Sequence, residues 1–195
     1  RRLGALDQGA LSAEHQVDAS MMADGIARRV FEIDELREHT WNPLLANPGK
    51  AIYQLLARDF APLPYRLGSV AGRLAEIPVV LAEARRQLGR MPRVHLETAI
   101  GQFDGTIALV SAQIDAALEE EGSAPHCVTQ LAQVRPAALE ALTGHRTWLS
   151  AQLAEADNNG GFADPRLGPE LFARKLSLTL SAAAADHFAE LRRQK

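Results

Sequence analysis

Cysteine is nearly missing from this 195-residue chain: Cys127 stands alone. One thiol excludes an internal disulfide and a cysteine-rich zinc site, and it fits a reducing compartment. There is no apolar run long enough to span a bilayer. A secretory leader is missing as well, because Asp7, Glu14 and Asp18 stand where an apolar run would be needed. Position 1 is Arg rather than Met, so a leader could have been removed, and a cytoplasmic location is the default expectation. A strong charge of one sign is also lacking. With 21 Lys and Arg against 24 Asp and Glu the net charge is −3, which gives no electrostatic case for nucleic acid or an anionic membrane as partner. The pairs Arg28-Arg29, Arg85-Arg86 and Arg192-Arg193 read as solvated helix faces.

The usual signatures of catalysis are absent too. There is no glycine-rich phosphate loop, no G-x-S-x-G elbow and no H-E-x-x-H. That last pattern holds zinc by setting two imidazoles one helical turn apart. The six histidines, at 15, 39, 95, 126, 145 and 187, never fall three or four residues from one another. The nearest approach, His95-Leu96-Glu97, lacks the second imidazole. The expectation is therefore no catalytic residue, no metal ligand and no cofactor in this chain.

What is present is helical periodicity. With 47% hydrophobic and 23% charged residues, the composition is that of a globular protein. Met22, Ile26, Val30 and Ile33 recur at steps of four, four and three on one face of a helix over 12–38. Two Asn-Pro pairs in "TWNPLLANPGK" (40–50) interrupt it, and a short helix around Ile52, Leu55 and Leu56 ends at "APLP" (61–64). Leu67, Val70, Leu74, Ile77, Leu81, Ala84 and Leu88 mark the next helix, where Pro78 predicts a kink or a break. The segment 93–121 carries Ile100, Phe103, Ile107, Val110, Ile114 and Leu118 and closes on Glu119–Glu121. The segment 124–156 carries Leu131, Val134, Leu142, Leu149 and Leu153 around Pro136. After the loop "ADNNGGFADPRLG" (156–168), a last helix begins at Pro169 with the stripe Phe172, Leu176, Leu180, Ala183, His187, Leu191. No alternation of strand period appears. The expected fold is all-α: one helical domain over 1–195, a bundle of six to eight helices with antiparallel neighbours, kinked at its prolines.

Two residues stand out as substrate-cleft candidates. Arg166 lies in a glycine-flanked loop that opens onto a helix, where a guanidinium can fork onto a carboxylate or simply tie down its own loop. His187 falls on the apolar stripe of the last helix, the position of a packing histidine or of a site residue. Cys127, at a helix start, has no identifiable partner and reads as a small buried hydrophobe. Trp41 and Trp148 read as large packing residues.

Four segments carry a resemblance. They are "ALSAEHQVDASMMADGIARRVFEIDELREHTWNPL" (10–44), "RLAEIPVVLAEARRQL" (73–88), "VHLETAIGQFDGTIALV" (94–110) and "DPRLGPELFARKL" (164–176). Taken in order, they resemble the N-terminal part of the bacterial family known as domain of unknown function 885. The resemblance covers nearly the whole chain, although none of its motifs is catalytic. It implies a helical zinc metallopeptidase of the gluzincin type, longer than this chain, whose H-E-x-x-x-G-H motif lies downstream of the R-L-G segment. No position here matches that motif, so zinc is implied only for the longer protein. The expected role is the front helical portion of such a hydrolase, scaffold and cleft wall to a peptide-like substrate. The alternative is a self-standing helical interaction module. No Gly, Asn or Pro closes the last helix before Lys195, and Leu178, Leu180, Phe188 and Leu191 widen its apolar face. The expected partner is the remaining C-terminal portion of the protein or another copy of the chain.

Overall fold

The computed structural model describes residues 3–119 and 125–179. Among these residues every regular element is helical and there is no strand, so the fold is all-α. Seven α-helices follow in order: α1 (Ala13–Phe31), α2 (Gly49–Ala57), α3 (Leu63–Gln87), α4 (Arg93–Ala108), α5 (Ile114–Glu119), α6 (Pro125–Asn159) and α7 (Gly168–Thr179). The chain forms two compact units, one of Arg1–Glu38 with Arg166–Lys195, the other of His39–Pro165.

In the first unit, Ser12 caps α1 by accepting a hydrogen bond from the His15 backbone N–H at 3.3 Å. A π-helical turn, Glu32–Leu36, extends the helix and stops at Arg37, which takes the left-handed conformation at φ 47°. Helix α7 packs antiparallel to α1. Arg28 donates to the Leu178 carbonyl at 3.2 Å, Arg174 pairs with Glu35 at 2.8 Å, and the Arg174 guanidinium lies over the Phe31 ring. Phe31 is buried. The stripe Met22, Ile26, Val30, Ile33 does share a face, but that face is exposed. Periodicity names the residues that share a side; it does not say which side is covered.

The second unit is an up-down-up bundle. The Cys127 thiol reaches the Pro64 carbonyl at 3.6 Å and Arg85 reaches His145 at 3.3 Å, so α3 and α6 run in the same direction. Between them in sequence, α4 and α5 return antiparallel to α6, as the Asp104–Arg146 and Asp115–Arg135 pairs require. The core is Leu67, Val70, Leu74 and Leu81 of α3, Leu96, Ala99 and Phe103 of α4, and Leu131, Leu142 and Leu149 of α6, all essentially inaccessible. A π-helical turn at Leu109–Gln113 joins α4 to α5. It inserts a residue into the helical repeat and keeps Leu109, Val110 and Ile114 buried together.

Of the kink or break that Pro78 predicts, a break is not found: α3 runs from Leu63 to Gln87 as one helix, and α6 likewise through Pro136. Each proline removes one backbone donor. The buried faces on either side, Leu74 and Ile77 with Leu81 in α3, Leu131 with Ala138 in α6, hold both halves on the same neighbours. The Asn-Pro pairs behave as turn-formers. Asn42 Oδ1 accepts from Leu44 N at 3.2 Å and Asn47 Oδ1 from Gly49 N at 2.8 Å. Thr106 of α4 donates to the same Asn47 oxygen at 2.8 Å. A side chain at Gly49 would put its Cβ 2.3 Å from Thr106 Oγ1, so that contact requires glycine.

Candidate functional site

Helix α3 spends only one face on the core. Opposite Leu67, Val70, Leu74 and Leu81 it turns Ser69, Gly72, Arg73, Glu76, Val80 and Glu83 outward. The turn Pro43–Ala46 and α2 stand beside this face without filling it. Two hollows result, of about 600 Å³ between α2 and α3 and about 410 Å³ beside the turn, and they share Ala46 and Val80 as walls. Together they form one trough along α3 from Ser69 to Gln87, about 27 Å at the helical rise.

The trough is apolar at its floor, with Ala46, Pro48, Ala51, Gly72, Val80 and Ala84, and its charges are few, Arg73, Glu76 and Glu83 among them. Arg73 crosses to α2 and donates to the Ala51 carbonyl at 2.9 Å. Glu83 accepts from Arg86 Nε at 3.1 Å and from Gln87 Nε2 at 2.6 Å. The hydrogen bond from Arg86, then that from Gln87, holds its carboxyl below the usual carboxylate range. A carboxylate stabilised in its ionised form is a poor proton acceptor. The trough can bind an apolar or peptide-like segment, and it presents no nucleophile beside a base.

A third hollow, about 440 Å³, opens at the other side of the bundle between the link Leu88–Met91 and the polar end of α6, Gln152, Glu155 and Asn159. Its arginine is engaged: Arg90 donates to the Gly161 and Phe162 carbonyls at 2.8 and 2.9 Å, strapping the loop that follows α6.

Two buried polar residues went unremarked in the sequence. Arg66 is 7% exposed. It donates to the carbonyls of Leu55, Leu56 and Ala61 at 2.9–3.0 Å and pairs with Asp59 at 3.5 Å, closing the C-terminal end of α2. His145 is fully buried, tilted against Phe103 and Trp148 with ring centroids 4.8 and 5.3 Å away. Its Nδ1 lies 3.3 Å from Arg85 Nε, a donor, so Nδ1 accepts and the ring proton sits on Nε2, which has no partner. Burial first, and the Arg85 charge second, push its pKa down to about 4. It is a neutral core residue and lines none of the hollows. Neither residue could have been singled out from the sequence, since a buried Arg or His on a helix differs from an exposed one only by what packs on it.

Of the two cleft candidates, the structure describes one. Arg166 is exposed and belongs to the first unit, immediately before α7. His187 lies outside the described residues, as do the Leu180, Phe188 and Leu191 positions of the last helix. Cys127 is fully buried. Trp41 and Trp148 pack as expected, Trp41 on His95 with centroids 5.6 Å apart and Trp148 on His145. Among the described residues no group of three or more His, Cys, Asp or Glu is placed to hold a metal ion.

Residues 1–191 match a family profile described as bacterial protein of unknown function, DUF885. No curated protein matches the chain. Among solved structures, a candidate lipoprotein of unknown function from Shewanella oneidensis shares the fold, with a TM-score of 0.82 at 24% identity. The match covers 91% of this chain and 32% of that one, so the chain spans about a third of that relative's length.

Proposed function

The chain belongs to this bacterial family of unknown function, and from that premise we propose that it is the helical scaffold of a longer hydrolase-like polypeptide, walling a cleft for a peptide-like substrate. The observation that carries the proposal is the trough along α3: it is long, open and apolar, and one of the two acids that line it, Glu83, is held as an anion by Arg86 and Gln87. Such a surface aligns a substrate and excludes water from one side of it. The bond-breaking groups must then come from elsewhere in the polypeptide. The zinc implied by the resemblance finds no ligand set among the described residues, and no catalytic step is routed through it.

A second reading, a self-standing module that seats a partner helix, has one observation in its favour. Nothing lies within 4 Å of where a Cβ would stand at Gly68 or Gly72 of α3, so another backbone can approach closely. No helix among the described residues is long and apolar enough to cross a membrane.

The test uses the 195-residue chain and a mixture of unstructured peptides. Amide chemical-shift changes are expected at Ala46, Gly72 and Val80 on adding apolar peptides, and at least tenfold weaker binding in Val80→Arg. No peptide should be cleaved, and elemental analysis should find no stoichiometric zinc. One tightly bound zinc per chain, or cleavage by this chain alone, overturns the scaffold reading. Shift changes confined to other surfaces overturn the trough.

A further inference from the structure

Outside the trough, helix α1 presents a stripe of exposed apolar side chains. Met22, Ile26 and Val30 are 58%, 52% and 50% exposed, and Ile33 in the following turn is 46% exposed. They span about 16 Å at the helical rise. The opposite side of α1 is already occupied, by α7 through Arg28 and Phe31. Met22, Ile26 and Val30 form a ridge at steps of four, the kind that interlocks with the groove of another helix, and the adjoining Ala23 and Ala27 end at Cβ, so a helix axis can come to about 8–10 Å. An exposed ridge of this shape is a surface that another helix can cover.

We infer that this face seats a helix from the part of the same polypeptide that lies outside these 195 residues, an inference resting on the scaffold reading above. Size selects a tethered occupant over a second copy. Four half-exposed side chains offer on the order of a few hundred Å², short of the ~800 Å² per partner that a stable complex of separate molecules buries. A segment of the same chain needs less, because tethering supplies an effective concentration in the millimolar range. The relative of the same fold has the chain to supply it, since about two-thirds of its length falls outside the matched portion.

Oxidative footprinting with hydrogen peroxide tests this without a substitution. In the 195-residue chain Met22 should oxidise about as fast as Met21, which is 68% exposed on an adjacent side of the helix. In the complete polypeptide Met22 should slow at least tenfold. Ile26→Asp is at an exposed position and should leave the circular dichroism of the 195-residue chain unchanged, while restoring Met22 reactivity in the complete polypeptide. A longer polypeptide whose Met22 stays reactive sinks the docking face and leaves the scaffold reading standing. A reading frame that stops at Lys195 sinks both. Protection of Met22 in the 195-residue chain that grows with its concentration replaces the tethered helix by a second copy and overturns the inference.

Discussion

His145 shows how one buried side chain ties stability to pH. Its pKa is about 4 in the folded chain against an ordinary value of 6.5. The folded value is the depressed one, so the unfolded chain binds the proton first as pH falls. The contribution of neutral His145 is complete above pH 6.5 and is lost between there and about 4. At ~1.4 kcal/mol per unit the loss amounts to about 3 kcal/mol across that window. The urea midpoint should therefore fall from pH 7 to pH 4, and His145→Leu should flatten that part of the profile. A variant with an unchanged slope would mean that His145 already carries its proton in the fold. The residue scale was also the least legible one. Pro43, Pro48 and Gly49 announced a turn, but not that the Gly49 backbone lies against Thr106. Cys127 is buried, as its reading as a small buried hydrophobe has it, although its thiol also reaches the Pro64 carbonyl. His145 and Arg66 carry no sequence mark, since their burial is set by partners 60 and about a dozen residues away.

At the scale of the element, spacing carried most of the information. The core positions Leu67, Val70, Leu74, Ile77 and Leu81 of α3 are those the three-four repeat selects. Along α4, Ile100 and Ile107 also follow the repeat, yet they are only partly buried, whereas Leu96, Ala99 and Phe103 are covered. The π-helical turn shifts the register beyond Ala108, and an extra residue in a repeat is invisible to a count that assumes a constant pitch. Neither internal proline ends its helix. Pro136 sits on the exposed side of α6, where water can replace the lost donor, and the helix continues on its packing. Its cost should still be present. Pro136→Ala should stabilise the chain by about 1–3 kcal/mol, since a helix-interior proline costs about 3 kcal/mol relative to alanine and part of that is already relaxed. A calorimetric midpoint that does not rise would place a true break in the helix at this residue.

On the scale of the whole molecule, helix content and bundle topology were legible in the sequence, and so was family membership. The division of the chain was not. One unit is a single stretch, His39–Pro165, while the other takes residues from both ends, Arg1–Glu38 and Arg166–Lys195. Periodicity is local, and only three-dimensional contacts reveal that two distant segments share a unit. The stretch 39–165 has its own core in α3, α4 and α6. Expressed alone it should unfold cooperatively in urea with a helical circular dichroism spectrum, whereas a peptide of residues 1–38 should show little helix, its α7 contacts being gone. A non-cooperative 39–165 would mean that the two units depend on each other to fold.

The discontinuous unit also sets an order of assembly during synthesis. Arg28 and the Leu178 carbonyl that accepts from it are 150 residues apart. At ribosomal speeds of about 5–20 residues per second, α1 leaves the exit tunnel roughly 8 to 30 seconds before α7 exists. The bundle of 39–165 can close on its own in that interval, while Phe31, buried in the finished fold, waits uncovered on the side of α1 away from Met22, Ile26 and Val30. Helix α1 is thus made before the bundle and covered by α7 after it. On the nascent chain, a chaperone that recognises apolar helices would meet α1 before the bundle of 39–165.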